Sequence, residues 1–174
     1  MTRYAALLRG VNVGGINLKM ADVKAVFEGL GLGGVKTVLA SGNVLFETDL
    51  SADEVQPLIE RALGERFGYE AWVQVHGIDA IRALLTGFPF DAERDGWHPY
   101  VVFVADPAVA GELLAMQDEL DPVREQILAG PGVVYWTVER GSTLTSAFGK
   151  ALGRARYKAA TTTRNLRTLQ KLVA

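Results

Sequence analysis

"VKTVLASGNVLFET", residues 35–48, reads as two strands folded back on one another. Val35 to Ala40 and Val44 to Glu47 are rich in β-branched and apolar residues, and "SGN" at 41–43 supplies the small turn formers of a hairpin connection. What flanks the hairpin decides the fold. Upstream, Met20, Val23, Phe27 and Leu30 recur at helical spacing behind an apolar strand run, Tyr4 to Leu8. Downstream, Ser51 and Glu54 have the spacing of a capping box ahead of the stripe Val55, Leu58, Ile59, Ala62 and Leu63, with Pro57 leaving the start of that helix open. Tyr69, Ala71, Val73 and Val75 then alternate with Glu70, Trp72 and Gln74, the pattern of a strand with one buried face. The order strand, helix, strand, strand, helix, strand is the split βαβ unit of ferredoxin-like α-β plaits.

The second half repeats the pattern less clearly. A helix near Ile78 to Leu85 and the loop "GFPFDAERDGWH" mark a boundary. Tyr100 to Val104 is a strand, and Asp106 before Pro107 is a cap followed by a first turn, opening a helix expected to reach about Leu120. A weak strand near Gln126 to Leu128, a stronger one from Val133 to Val138 and a helix carrying Leu144, Ala147, Phe148, Ala151 and Leu152 follow. Arg164 to Val173 reads as one more helix with Leu166, Leu169 and Leu172 inward. The expectation is an α+β protein of two ferredoxin-like (α-β plait) subdomains plus a C-terminal helix: an N-terminal plait over residues 1–76, a linker helix and loop over 77–98, and a plait-like subdomain with the terminal helix over 99–174.

Composition narrows the chemistry. At 174 residues, 49% hydrophobic and 22% charged, the chain can bury a core without staples. The absence of Cys excludes disulfides, thiolate catalysis and thiolate metal sites. The apolar run at Tyr4 to Leu8 is too short for a secretory signal and no later segment approaches a membrane span, so a soluble cytoplasmic protein is the expectation. The net charge of −2 hides an asymmetry: eight of the 18 basic residues lie from Arg140 onward with no Asp or Glu among them, leaving ten against all 20 acidic residues in the earlier part. Such an end can bind anions or nucleic acid, or dock on the acidic body of its own chain.

Two stretches bear on a site. "RGVNVGG" (9–15) joins a strand to a helix, where backbone N–H groups can converge and a helix start favours an anion. Arg9 offers a bidentate donor and Lys19 a point charge; the alternative is a tight turn in which Asn12, Gly14 and Gly15 take positive φ and Asn17 caps the helix. "TTTRN" (161–165) reads as a helix start with Thr163 as cap and Arg164 just inside it, in conflict with the positive helix N-terminus. Either a bound anion or a neighbouring carboxylate removes the conflict. Were the two stretches brought together, Arg9, Asn12, Lys19, Thr163, Arg164 and Asn165 would form one positive concavity.

Other chemistry has little support. "GLGLGG" (29–34) matches a dinucleotide fingerprint letter by letter but follows a helix and precedes a strand, the reverse of the required context, so it reads as a helix stop and turn. There is no P-loop motif. Ser41 lies in no nucleophile elbow, and Ser146 and Lys150 are four apart where S-x-x-K needs three. His76 and His98 belong to no metal motif and read as strand-end or loop residues; no metal site is expected. The third strand offers Phe46 alone, which excludes an ordinary RRM.

"RGVNVGGINLKM", "ASGNVLFET" and "TTTRNLRTLQKL" together resemble the bacterial conserved-hypothetical family catalogued as domain of unknown function sixteen-ninety-seven, whose members carry R-G-[IV]-N-V-G-G, Q-S-G-N-V and T-R-N-W-N-T-V-x-K-L in that order. The resemblance implies a pair of α-β plaits and no established activity, catalytic residue or cofactor. It adds Ser41 and Asn43 to the candidate ligand-binding set, beside Arg9, Asn12, Gly14, Gly15, Lys19, Thr163, Arg164 and Asn165. Two positions depart from the family pattern: Leu166 stands where Trp is usual, and Thr143 where S-K-L would place Lys. The leading expectation is a small anionic ligand, phosphate or nucleotide-like, held by the three motifs. An RNA-binding or ribosome-associated module is the rival, and a structural or interaction protein without ligand is the third reading. No feature of the sequence specifies an oligomeric state.

Overall fold

Strand β1 (Thr2–Leu8) pairs antiparallel on both sides, with β3 (Asn43–Thr48) and with β4 (Val73–Gly77), and β2 (Gly33–Val38) completes the sheet outside β3 in the order β2-β3-β1-β4. The computed structural model describes residues 1–11 and 16–174. Helices α1 (Met20–Gly29) and α2 (Ala52–Phe67) bring Val23, Phe27, Val55, Ile59 and Leu63 against Ala6, Leu8, Val44, Phe46, Val73 and Val75, so both helices share one face of the sheet. The alternate residues Ala5 and Leu7 are fully buried as well. Helix α2 opens with the expected capping box: Ser51 Oγ accepts from Glu54 N–H and Glu54 Oε2 accepts from Ser51 N–H. Pro57 lies inside this helix on its exposed side, where water can satisfy the carbonyl left without its partner.

The second half is built the same way. Strands β5 (Trp97–Val104), β6 (Glu125–Gly130), β7 (Val133–Glu139) and β8 (Thr161–Asn165) form an antiparallel sheet in the order β6-β7-β5-β8. Val109 and Leu113 of α4 (Pro107–Leu114) and Phe148 of α5 (Ala147–Leu152) pack on Val102, Val104, Ile127, Val134, Trp136 and Val138. Helix α6 (Ala155–Lys158) follows α5, α3 (Ile78–Thr86) joins β4 to the loop before β5, and α7 (Leu166–Val173) ends the chain. The chain divides into two compact units, residues 1–82 with 170–174, and residues 83–169. The protein is therefore a mixed α+β chain with two four-stranded antiparallel sheets, and among the described residues no helix is long and apolar enough to cross a membrane.

Several expectations are corrected by backbone chemistry. The hairpin turn is Leu39–Gly42 rather than "SGN": β2 stops at Val38 and Leu39 takes φ 61°, a left-handed conformation costing about 1 kcal/mol. Strand β4 begins at Val73, later than Tyr69, because Gly68 closes α2 in the left-handed region and the chain needs four residues to regain the sheet. Trp97 and His98 belong to β5, paired with Glu139 and Val138, and not to the boundary loop. Helix α4 ends at Leu114, with a single 3-10 turn at Gln117–Glu119, where the Gln117 amide donates to the Ile127 carbonyl on β6. Leu144 lies outside the helix it was expected on, because Ser146 caps α5 by accepting from Gly149 N–H. The expected helix from Arg164 starts at Leu166 instead: 161–165 is the edge strand β8, as a run of β-branched Thr favours. "GLGLGG" is a helix end leading into β2, with Gly31 at φ 80°.

Glycines and a histidine make this packing testable. A Cβ on Gly149 would lie 1.9 Å from the Thr143 carbonyl oxygen, whereas one on Gly111, exposed in α4, meets nothing within 4 Å. Gly149→Ala should cost about 3 kcal/mol or more, and Gly111→Ala should stabilise by roughly 0.5–1 kcal/mol, both measured by urea unfolding. His76 is largely buried on β4 beside Gln74, and desolvation lowers its pKa to about 4. The unfolded chain binds a proton near pH 6.5 that the native state refuses, so stability is greatest above that pH and falls as pH drops toward 4. Replacing His76 by Gln should remove a loss of up to roughly 3 kcal/mol between pH 7 and pH 4, read from unfolding curves.

Candidate functional site

The C-terminal end of β1 collects the first unit's candidates. Leu8 N–H donates to the Gly42 carbonyl (2.8 Å) and Arg9 N–H to the Trp72 carbonyl (3.0 Å), which continues the pairing of β1 with both neighbours one step past the strand. Extending the register Leu8↔Val73 sets Arg9 level with Trp72, while on the other side β3 has given way at Gly42 to the hairpin turn that holds Ser41. Opposed residues of a sheet share a face, so Arg9, Asn43 and Trp72 lie on the face away from α1 and α2, with Ser41 tied to that group through Asn43.

Each residue's role follows from its contacts. The Arg9 guanidinium carbon sits 4.5 Å from the centroid of the Trp72 ring, a cation-π stack on an indole that is 40% exposed. Its Nη1 is buried and has no hydrogen-bond partner among the described residues, and desolvation pulls the guanidinium below its usual pKa. A buried, unpaired donor of a cation is costly, and an anion would satisfy it. Asn43 is fully buried and acts as the brace of the turn, its amide nitrogen donating to the Val38 carbonyl and to Ser41 Oγ, both at 2.9 Å. Gly42, at φ 90°, has no room for a side chain: a Cβ would stand 2.5 Å from Val11 Cγ2. The first and second motifs are thus packed on each other. Lys19 is the N-cap residue of α1 without a side-chain cap bond and is exposed, so Asn17 does not cap that helix. Asn12, Gly14 and Gly15 lie outside the described residues.

The third motif belongs to the second unit, and strand alternation divides it. Thr163 and Asn165 pair with Val102 and Tyr100 on the helix-covered face, while Thr162 and Arg164 pair with Phe103 and Val101 on the opposite one. Arg164 is buried, donates from Nη1 to Thr162 Oγ1 (2.7 Å) and to the Thr163 carbonyl (3.0 Å), and desolvation lowers its pKa to about 10. Thr163 is no helix cap. Asn165 takes that role, its Oδ1 accepting from Arg167 N–H at 2.9 Å, so the conflict between Arg164 and a helix N-terminus does not arise. Elsewhere in the basic C-terminal segment, Arg156 forms a bidentate pair with Glu112, an instance of that segment docking on acidic residues of its own chain. Among the described residues no group of three or more His, Asp or Glu could hold a metal ion.

One site residue and one buried structural carboxylate escaped the sequence. Trp72 carried a signal, since it is the large aromatic on the polar side of an alternating strand. Glu125 carried none: it is a buried carboxylate on edge strand β6 whose Oε1 accepts from Trp136 Nε1 (3.1 Å) and whose Oε2 accepts from Phe148 N–H (3.3 Å).

The fold is shared with a solved structure, the conserved bacterial protein SP0830 from Streptococcus pneumoniae, at 25% sequence identity and a TM-score of 0.81 over 99% of this chain and 97% of that one. An unknown protein from Galdieria sulphuraria matches at 10% identity over 94% of this chain and 96% of that one, with a TM-score of 0.28 that supports no argument. No curated protein matches the chain. The family described as "Protein of unknown function (DUF1697)" matches residues 1–135, three quarters of the sequence and both of its first two motifs, and the chain belongs to that family.

Proposed function

We propose that the protein binds a small anion, a phosphate or nucleotide-like compound, at the end of β1, with Arg9 as the principal ligand-binding residue. The observation that carries this reading is the Arg9 guanidinium: held over the Trp72 ring, partly desolvated, with Nη1 buried and unpaired among the described residues. A fold that keeps a cation in this state pays for it unless an anion completes the hydrogen bonding. Asn43, Ser41 and Gly42 support the site by holding the hairpin turn beside Arg9, and the exposed Lys19 at the start of α1 is our candidate for a second cation. We further infer that each unit is a ferredoxin-like plait, on the support of strand orders β2-β3-β1-β4 and β6-β7-β5-β8 joined by crossover helices.

The test is thermal stabilisation and calorimetric titration with inorganic phosphate and with adenosine monophosphate, on the native protein and on Arg9→Gln. Ligand at a hundred times its Kd should stabilise the native protein by about 2.7 kcal/mol. Arg9→Gln should lose at least about tenfold in affinity, while its ligand-free stability stays within about 1 kcal/mol of native, since the lost cation-π contact is offset by removal of an unpaired buried donor. Arg9→Lys should recover only part of the affinity, because an ammonium cannot reproduce the bidentate fork. Equal anion affinity in Arg9→Gln would refute the reading. Steeply salt-dependent binding of an RNA oligonucleotide, with no response to either small anion, would transfer it to the RNA-binding alternative.

A further inference from the structure

The third-to-fourth strand connections of the two units differ in a way that leaves a hollow. In the first unit this connection holds α2, an uninterrupted helix of 16 residues that covers the sheet with Val55, Ile59 and Leu63. In the second it holds two short helices, α5 of six residues and α6 of four, parted at Gly153 and Arg154. Two such pieces cannot blanket the sheet, and a cavity of about 320 Å³ remains over Trp136 and Thr163. That volume is at the small end of the roughly 300–1,000 Å³ typical of ligand pockets.

We propose that this cavity is a second binding site, independent of Arg9, for a small carboxylate with an apolar body. The floor is rigid. Trp136 lies between the Tyr100 and Phe148 rings, at 5.1 and 5.2 Å, and its indole N–H is fixed by Glu125. The wall is equally constrained, since the Thr143 carbonyl stands where any Gly149 side chain would be, clamping the 142–146 loop against α5. Leu144 and Leu152 supply apolar surface, and Leu144 is 83% exposed at the rim, an apolar side chain that a bound hydrocarbon would cover. The polar groups are few: Thr163, Thr143, whose hydroxyl is shared with the Tyr100 phenol at 3.3 Å, and one charge, Lys158, which makes no ion pair among the described residues. An apolar cavity with a single cation and two hydroxyl-bearing residues at its lining selects an anion whose charge is compact and whose remainder is hydrophobic.

The probe is benzoate, compared with benzyl alcohol and benzylamine, followed by the indole N–H resonance of Trp136 in ¹⁵N-labelled protein and identified by its absence in Trp136→Phe. Benzoate should shift that resonance saturably and bind more tightly than either neutral or cationic analogue. Lys158→Gln, a change on the exposed side of α6, should weaken benzoate about tenfold and leave benzyl alcohol unchanged, and Lys158→Arg should restore benzoate binding. Arg9→Gln should bind benzoate at this cavity as the native protein does, which separates this site from the proposed anion site. An unmoved Trp136 resonance, a benzoate affinity insensitive to Lys158→Gln, or benzyl alcohol binding as tightly as benzoate would each overturn the proposal.

Discussion

Pairing of a central strand on both of its edges governs each half of this protein. Ala5, Ala6, Leu7 and Leu8 are buried on both faces of the sheet, and their backbone groups are committed to β3 on one side and β4 on the other. Val101, Val102, Phe103 and Val104 hold the same position between β7 and β8. A strand with no free hydrogen-bonding edge and no exposed face cannot slip register without exposing apolar surface and stranding polar backbone. The neighbouring strands and crossover helices are placed relative to these two segments.

That constraint also sets where polar chemistry can appear. A continuous apolar run leaves no room for a charge inside it, so Arg9 is the first side chain past β1 able to carry one, and the ladder bonds of Leu8 and Arg9 deliver it beside the hairpin turn and Trp72. The turn is rigid for reasons of its own: Gly42 admits no side chain and Asn43 spends its amide donors on Val38 and Ser41. Residues that look like ligand contacts in the sequence, Ser41 and Asn43, therefore serve first to hold the backbone against which Arg9 is presented.

The two units share a strand order but not a covering. A long capped helix closes the first unit's core, while the short helices parted at Gly153 leave a hollow beside the second, with buried Trp136 at its base and Leu144 at its rim. Burial of Glu125 is part of the same economy of polar groups: a carboxylate on an edge strand satisfies an indole N–H and a helix-start N–H that would otherwise be stranded in the core.

What the sequence determined by itself was the local grammar. The capping box at Ser51 and Glu54, the Asp106 cap, the alternation of β4 and the order of elements in the first half were all legible, because each depends on residues a few positions apart. Tertiary structure decided the rest. The spacing of Leu166, Leu169 and Leu172 marks a helix but not where it begins, and only pairing with β5 makes 161–165 a strand, which turns Arg164 to the opposite face from Thr163 and Asn165. The contact of Arg9 with Trp72 joins residues 63 positions apart in the chain, and Nη1 is a buried donor without a partner among the described residues only once packing removes water from it. Spacing encodes periodicity within an element, but which faces meet, and which polar atoms lose their solvent, are settled only when the elements pack.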